Sequence, residues 1–166
     1  MQLDAEPLLV ELAGQIGALP EETVLVGIHT GGAWVAERLH ARLNVKLPLG
    51  KLAVTLHRDD FSKIGLHPQK KATEMPFDVD GRHILLVDDV LNTGRTLRAA
   101  LNELFDFGRP ASVKLAVLVD RGRRELPFAA DYIGATMALD AGQELVLSHE
   151  QNHLRFTLQE KPRQPL

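Results

Sequence analysis

The segment with the clearest chemical capacity spans residues 88–96, where the adjacent carboxylates of Asp88 and Asp89 precede a short polar run. Such carboxylates can accept hydrogen bonds from ribose hydroxyl groups and can hold Mg²⁺ through water. Backbone N–H groups at a loop and a helix start form a cradle for anions. Gly94 lets the backbone approach a phosphate closely, and Arg95 adds positive charge. The segment therefore predicts a site for a phosphorylated ribose.

The residues predicted to contact the ribose and its 5′-phosphate are Asp88, Asp89, Val90, Leu91, Asn92, Thr93, Gly94, Arg95 and Thr96. The alternative is an ordinary capped helix start, in which Asp and Thr side chains accept hydrogen bonds from the first helical N–H groups. A cap alone does not require two aspartates together with Thr93 and Thr96. The competing nucleotide motifs G-x-x-x-x-G-K-[ST] and G-x-G-x-x-G are absent from the sequence.

Alternating strand and helix patterns predict how this segment is positioned. Short apolar, β-branched runs predict buried strands at 23–28, 52–56, 83–87 and 113–119, with a short fifth at 132–133. Helical periodicity occurs at 6–19, 33–43 and 96–107. This order is typical of an α/β domain with a mainly parallel sheet, in which ligands bind at the carboxyl ends of the strands. Three polar clusters are expected at those ends: residues 29–32, 88–96 and 120–124.

Composition limits the class of protein. The chain has 166 residues, 45% of them hydrophobic, and no cysteine, which excludes disulfides and thiolate chemistry. We expect one domain over residues 1–166. No apolar run is long enough to span a membrane and no secretory signal is visible, so a cytoplasmic protein is expected. The net charge is −3, and residues 1–37 contain no Lys or Arg, so a polyanionic partner would have to dock elsewhere.

Residues 84–96 resemble the thirteen-residue phosphoribosyl pyrophosphate motif of type I phosphoribosyltransferases. Further blocks resemble the PyrR family: residues 27–30 with Gly32, Thr55 with 58–60, 108–110, 115–122, 124–127 and 130–134. The resemblance implies a type I phosphoribosyltransferase-like sheet flanked by helices, with a small hood and a flexible flap at 57–80. It also implies Mg²⁺-dependent conversion of uracil and phosphoribosyl pyrophosphate to uridine monophosphate and pyrophosphate. PyrR-like proteins associate, and many regulate pyrimidine genes by binding messenger RNA, so a homo-oligomer and an RNA partner are implied.

The resemblance assigns roles to particular residues. Thr30, Gly31 and Gly32 are expected to bind pyrophosphate together with Arg58, a catalytic candidate on the flap, with Lys70 and Lys71 as weaker candidates. Asp88 and Asp89 are the other catalytic candidates and are expected to contact Mg²⁺ through water. The loop after the fourth strand is expected to hold the uracil base, largely through backbone groups, at Val119, Asp120 and Arg121. Whether the basic pair Arg123 and Arg124 is functional or merely solvated stays open.

Two departures from the family pattern keep other functions open. Gly31 stands where PyrR-like proteins commonly have Arg, which motivates an alternative, a sensor of phosphoribosyl pyrophosphate or uridine nucleotides with little turnover. RNA-binding members tend to carry basic N-terminal helices, whereas here that helix has none, and Ala129 and Ala135 replace commonly basic residues. A uridine-nucleotide-dependent RNA attenuator is therefore weakly supported. A different base, such as orotate or a purine, is disfavoured by residues 119–127. Residues 135–166 are expected to form a hairpin and a polar tail.

Overall fold

The computed structural model describes residues 1–54 and 72–162. Within them the elements are, in chain order, β1 (Gln2–Asp4), α1 (Glu6–Ile16), β2 (Val24–Ile28), α2 (Gly31–Arg42), β3 (Gly50–Leu52), β4 (His83–Leu91), α3 (Arg95–Phe105), β5 (Ser112–Asp120), β6 (Tyr132–Thr136), β7 (Gln143–Glu150) and β8 (His153–Glu160). The predicted residues 55 and 56 of the second strand, and most of the predicted flap, lie outside the described residues. No helix in the described part of the chain is long and apolar enough to cross a membrane.

Five strands form one parallel sheet in the order β3-β2-β4-β5-β6. The predicted α/β class with a mainly parallel sheet is therefore confirmed. Because the strands are parallel, the carboxyl ends of the three neighbouring strands β2, β4 and β5 lie at the same edge of the sheet. The loops that follow these strands carry the polar clusters that the sequence predicted there.

Hydrophobic packing covers both faces of this sheet. Successive residues of a strand point to opposite faces, as in β4, where Leu85 and Val87 join one core cluster and Ile84 and Leu86 join the other. The first cluster includes the apolar sides of α1 and α2, and the second includes the apolar side of α3. The sheet is thus buried between helices, which explains why its strands read as continuous apolar runs in the sequence.

A second, antiparallel sheet of the order β1-β8-β7 forms the predicted hood. The predicted C-terminal hairpin is confirmed, with strands longer than expected, but the N-terminal strand β1 was not predicted. Phe156 and Leu154 of β8 are fully buried in the cluster shared with α1 and α2. Glu6 of α1 fastens the hood, because its carboxylate accepts hydrogen bonds from both terminal nitrogens of Arg38 and from the backbone N–H of Leu154.

Several boundaries differ from the sequence predictions, and three of them bear on the fold or the site. Helix α1 ends at Ile16 rather than at residue 19, because Gly17 leaves the helical conformation with a φ of 62°. Helix α2 includes the glycine pair instead of starting after it, and the N–H of Trp34 already bonds to the carbonyl of Thr30 at 3.3 Å. Strand β4 continues past residue 87 to Leu91, because its pairing with β5 persists to the end.

Candidate active site

The site lies where β2, β4 and β5 end. Strand β2 leads through His29 and Thr30 into α2, and strand β4 leads through residues 92–94 into α3. We call residues 92–96 the phosphate loop, and residues 120–122, which begin at the last residue of β5, the base loop. The structure brings all three predicted polar clusters to one edge of the sheet.

The two aspartates lie within strand β4, not in the loop after it. One carboxylate oxygen of Asp88 accepts a hydrogen bond from the N–H of Asp89 at 2.8 Å. One oxygen of Asp89 likewise accepts a bond from the N–H of Val90 at 2.9 Å. Each carboxylate is therefore held by the next backbone N–H.

Burial raises the pKa of Asp88 well above its usual value, and the adjacent negative charge of Asp89 raises it further. The residue keeps some accessible surface, but the protein packed around its carboxyl group disfavours the charged form. A cation or a hydrogen-bond donor bound beside the pair would offset this cost. Binding of a cation or a hydrogen-bond donor would therefore stabilise the charged form of the carboxyl pair.

The N-terminus of α2 packs directly against the aspartates. A β-carbon placed on Gly32 would lie 2.9 Å from the Cα and 3.1 Å from a carboxylate oxygen of Asp88. A β-carbon on Gly31 would overlap the carboxylate of Asp89. Only glycines therefore allow the two strand ends to approach so closely, and the predicted pyrophosphate residues adjoin the predicted ribose residues. Thr30, the third of them, is exposed.

The phosphate loop turns at Gly94, which has a φ of 96° and immediately precedes α3. The hydroxyl oxygen of Thr93 accepts a hydrogen bond from the N–H of Arg95 at 3.2 Å. Gly94, at the N-cap, has no side chain, and the carboxylates of Asp88 and Asp89 bond to N–H groups of β4. The capping role of the alternative interpretation therefore falls to Thr93 and not to the aspartates. The first N–H groups of α3 therefore lie at the edge of the site, as an anion cradle requires.

Base-loop residue Asp120 accepts hydrogen bonds from the N–H of Gly122 at 2.8 Å and from the guanidinium of Arg124 at 2.6 Å. Burial acts to raise the pKa of Asp120, but these two hydrogen bonds outweigh it and lower the pKa below its usual value. The side chain is therefore an ionised acceptor at neutral pH. It lies at the carboxyl end of β5, beside Leu91 of β4 in the sheet register.

The other two predicted base-binding side chains are buried. Val119 is fully buried in the core, so it can meet a base only through its backbone. The guanidinium of Arg121 donates to the carbonyls of Asp140 and Gln143 at 3.3 and 2.9 Å, and its burial lowers its pKa. The N–H of Arg121 bonds to the carbonyl of Leu91 at 2.8 Å. Arg121 thus fixes the base loop to the hood and to β4.

Arg124 is the site residue that the sequence interpretation left undecided. Its three guanidinium nitrogens donate to the carbonyl of Phe128, the carbonyl of Asn92 and the carboxylate of Asp120. Its neighbour Arg123 is exposed. Arg124 is therefore held by hydrogen bonds within the site, whereas Arg123 lies on the surface. The signal in the sequence was the opposite charge of Asp120 four residues before Arg124, directly after a buried strand.

The residues present fit Mg²⁺ held mainly by its substrate. No group of three or more His, Cys, Asp or Glu side chains that could hold a metal occurs in the described ranges. One or two carboxylates are what Mg²⁺ uses when substrate phosphates and water supply the remaining ligands. Asp88 and Asp89 are therefore the candidates. Arg58, Lys70 and Lys71 lie outside the described residues, and their roles stay predictions.

The chain is similar to known proteins over most of its length. The family described as "Phosphoribosyl transferase domain" matches residues 5–144. A protein of Ralstonia nicotianae named "Bifunctional protein PyrR" is 52% identical, covering 98% of this chain and 97% of that protein. A protein of the same name from Pseudomonas aeruginosa is 54% identical over 76% of this chain and 75% of its own length.

Solved structures agree in fold. A hypoxanthine-guanine phosphoribosyltransferase from Bacillus anthracis has a TM-score of 0.65 at 22% identity, covering 82% of this chain and 83% of its own. A purine phosphoribosyltransferase from Pyrococcus horikoshii has a TM-score of 0.59 at 23% identity, covering 78% and 80%. At these identities the likeness shows the fold alone. With a matching domain over residues 5–144 and relatives more than half identical, the chain belongs to the phosphoribosyl transferase domain family and, within it, to the PyrR proteins.

Proposed function

We propose that the protein is a uracil phosphoribosyltransferase, which converts uracil and phosphoribosyl pyrophosphate to uridine monophosphate and pyrophosphate. The observation that carries the proposal is the packing of Gly31 and Gly32 against Asp88 and Asp89. This packing sets a helix N-terminus, suited to pyrophosphate, beside two carboxylates suited to ribose hydroxyls and Mg²⁺. Relationship to proteins named PyrR supports uracil as the base.

Each part of the substrate has a matching part of the site. The phosphate loop, with the N-terminus of α3, suits the 5′-phosphate. The carboxylates of Asp88 and Asp89 suit the two ribose hydroxyls, and Thr30 with Gly31 and Gly32 suits the pyrophosphate. The base loop at Asp120 suits the uracil, which would lie on the side of the sugar toward β5.

In the proposed reaction a bond forms between a ring nitrogen of uracil and the anomeric carbon of the ribose. The bond from that carbon to the pyrophosphate oxygen breaks, and the uracil N–H proton is released. Positive charge develops on the sugar ring, so the nearby carboxylates lower the energy of the transition state. Bound Mg²⁺ would neutralise charge on the departing pyrophosphate. Arg58 is proposed to assist this departure from the flap at 57–80, which would exclude water when closed.

The test is direct. Purified protein with uracil, phosphoribosyl pyrophosphate and Mg²⁺ should form uridine monophosphate and pyrophosphate in equal amounts, measured by chromatography. Activity should disappear with a chelator and return when Mg²⁺ is added. Orotate and hypoxanthine serve as competing bases. Faster use of either would reject uracil as the acceptor, and absent turnover by folded protein would reject the enzyme.

Absent turnover together with nucleotide binding, measured by calorimetry, would select the alternative of a sensor. Gly31 prompted that alternative, since it removes a cationic contact to pyrophosphate. The structure gives Gly31 a different explanation, because a side chain there would displace the Asp89 carboxylate. The packing therefore favours the enzyme.

A second candidate function is regulation of pyrimidine genes through RNA, favoured by the word "bifunctional" in the relatives' names. The absence of Lys and Arg from residues 1–37 means that RNA would have to contact another surface. Filter binding to the leader of a pyrimidine gene at two salt concentrations tests this. Affinity that exceeds that for random RNA and depends on a uridine nucleotide would support it, and equal affinities would reject it. Self-association is also proposed, and light scattering measures it.

A further inference from the structure

We propose that Arg124 is a positioning residue that holds the base loop and the phosphate loop at a fixed separation, so that uracil and ribose are aligned for bond formation. The inference rests on the proposed function, because it assigns one loop to each half of the product. It deepens that proposal by naming a residue that the ribose-phosphate motif does not contain.

The guanidinium of Arg124 spans the two loops. Its Nη1 donates to the carbonyl of Asn92 in the phosphate loop at 2.8 Å. Its Nη2 donates to the Asp120 carboxylate in the base loop at 2.6 Å. Its Nε donates to the carbonyl of Phe128 at 2.8 Å, which fixes the guanidinium plane. One planar group therefore links the two loops, in addition to the backbone hydrogen bond from Arg121 to Leu91.

The surroundings make these contacts effective. The side chain of Arg124 is 23% exposed and that of Asp120 is 13% exposed, so solvent and salt screen the ion pair only partly. Charge-assisted hydrogen bonds in such an environment are stronger than neutral ones. Lysine is a poor substitute, because a single ammonium group does not reproduce the planar fork that reaches three acceptors.

The phosphate loop has further support that does not depend on Arg124. The carbonyl of Thr93 accepts hydrogen bonds from the N–H groups of Glu125 and Leu126 at 2.9 and 3.0 Å. Gly94 also packs against Phe128 and Leu126, so closely that a β-carbon on Gly94 would lie 3.1 Å from the Phe128 ring. Loss of the arginine should therefore leave the phosphate loop formed and the base loop attached at Arg121, but free the Asp120 side chain from its link to the phosphate loop.

Because the phosphate loop does not depend on Arg124, two ligands can distinguish a positioning role of Arg124 from general structural support. Ribose 5-phosphate uses only the phosphate loop and the carboxylates, whereas uridine monophosphate spans both loops. If Arg124 sets their separation, its loss should weaken uridine monophosphate binding more than ribose 5-phosphate binding. Misplacement of reacting groups by about 1 Å is sufficient to cost a large factor in rate.

The experiment measures the affinity of both ligands by calorimetry for the wild type, Arg124→Gln, Arg124→Lys and the exposed control Arg123→Gln. We expect Arg124→Gln to weaken uridine monophosphate about tenfold and ribose 5-phosphate less than about threefold, as for a lost charge-assisted hydrogen bond. Arg124→Lys should recover only part of the loss. Arg123→Gln should match the wild type. In turnover, KM for uracil should rise more than KM for phosphoribosyl pyrophosphate.

Equal weakening of both ligands, no weakening, or full recovery by lysine would overturn the positioning role. If Arg124→Gln does not fold, shown by its melting curve, Arg124→Lys provides the same comparison of two ligands. The wild-type result separates the two proposals. Wild-type protein that binds neither ligand rejects the proposed function and this inference together, whereas normal wild-type binding with unchanged variants rejects only the inference.

Discussion

The carboxylate of Asp89 lies against the backbone of Gly31 so closely that a β-carbon at position 31 would overlap it. The two residues come from different strand ends, β4 and β2, and belong to the predicted ribose and pyrophosphate subsites. Because the two residues touch, the predicted ribose and pyrophosphate subsites adjoin directly. A substitution in one subsite must therefore affect the other.

Substitution of Gly31 is the first consequence. Gly31→Ala and Gly31→Arg should each lower kcat/KM for phosphoribosyl pyrophosphate by about tenfold or more, because the new side chain displaces the Asp89 carboxylate. Gly14→Ala is the matched control, since a β-carbon there meets nothing within 4 Å. An increase in activity with Gly31→Arg would instead support the idea that this position lacks a useful cation.

Asp88→Asn should make the ligand-free protein more stable at neutral pH. Burial raises the pKa of Asp88, so the native state holds a proton that the unfolded state releases above the usual pKa of 3.8. Wild-type stability from this group is therefore lost as pH rises above that value. The melting temperature of Asp88→Asn should exceed that of the wild type at neutral pH and match it near pH 3.

Scanning calorimetry across pH checks this prediction, with the exposed Asp106→Asn as the control. A melting temperature of Asp88→Asn that stays below that of the wild type at neutral pH would contradict it.

Asp89→Asn should damage catalysis more than folding. The substitution keeps an oxygen to accept the N–H of Val90 but removes the charge that is proposed to face the ribose and Mg²⁺. We expect kcat/KM to fall about a hundredfold, a loss typical of an electrostatic group in a transition state. Steady-state kinetics with a melting curve measures both effects. Full activity of Asp88→Asn and Asp89→Asn would refute the ribose assignment.

Glu6→Gln should loosen the hood. Its hydrogen bonds with Arg38 hold the pKa of Glu6 below the usual 4.5, with burial opposing the shift. The stabilisation is present above pH 4.5 and is lost as pH falls through the lower pKa of the folded state. Loss of these bonds should cost about 1 kcal/mol, or roughly 2–4 °C in melting temperature, at neutral pH. The difference should shrink toward pH 3, and a constant difference would contradict the assignment.

Much of the fold followed from the sequence because its strands are buried on both faces and its helices on one. Ile84 to Val87, for example, could only be a strand inside an α/β sheet. Strand β1 was not predicted, because three residues are too few to show a hydrophobic period. Its position also depends on β8, a partner far along the chain. The extension of β4 to Leu91 was missed because polar aspartates interrupt the apolar run, although pairing with β5 carries them.

The candidate site, like the fold, was predictable from the sequence only in part. Local signals identified Asp88, Asp89 and Gly94, whose chemistry and spacing lie within one segment. The contact of Gly31 with Asp89, and the role of Arg124, depend on how separate strand ends meet. Sequence patterns report charge and period, but they do not report which carbonyl a guanidinium reaches.

The pairing of β1 with β8 has a consequence for how the chain assembles during translation. Gln2 pairs with Thr157, so β1 waits for a partner that is synthesised 155 residues later. At ordinary rates of synthesis, that interval is on the order of ten seconds. Meanwhile the parallel sheet, complete at residue 136, is free to form first. The hood therefore forms last, when the strand ends that carry Asp88 and Asp120 can already be in place.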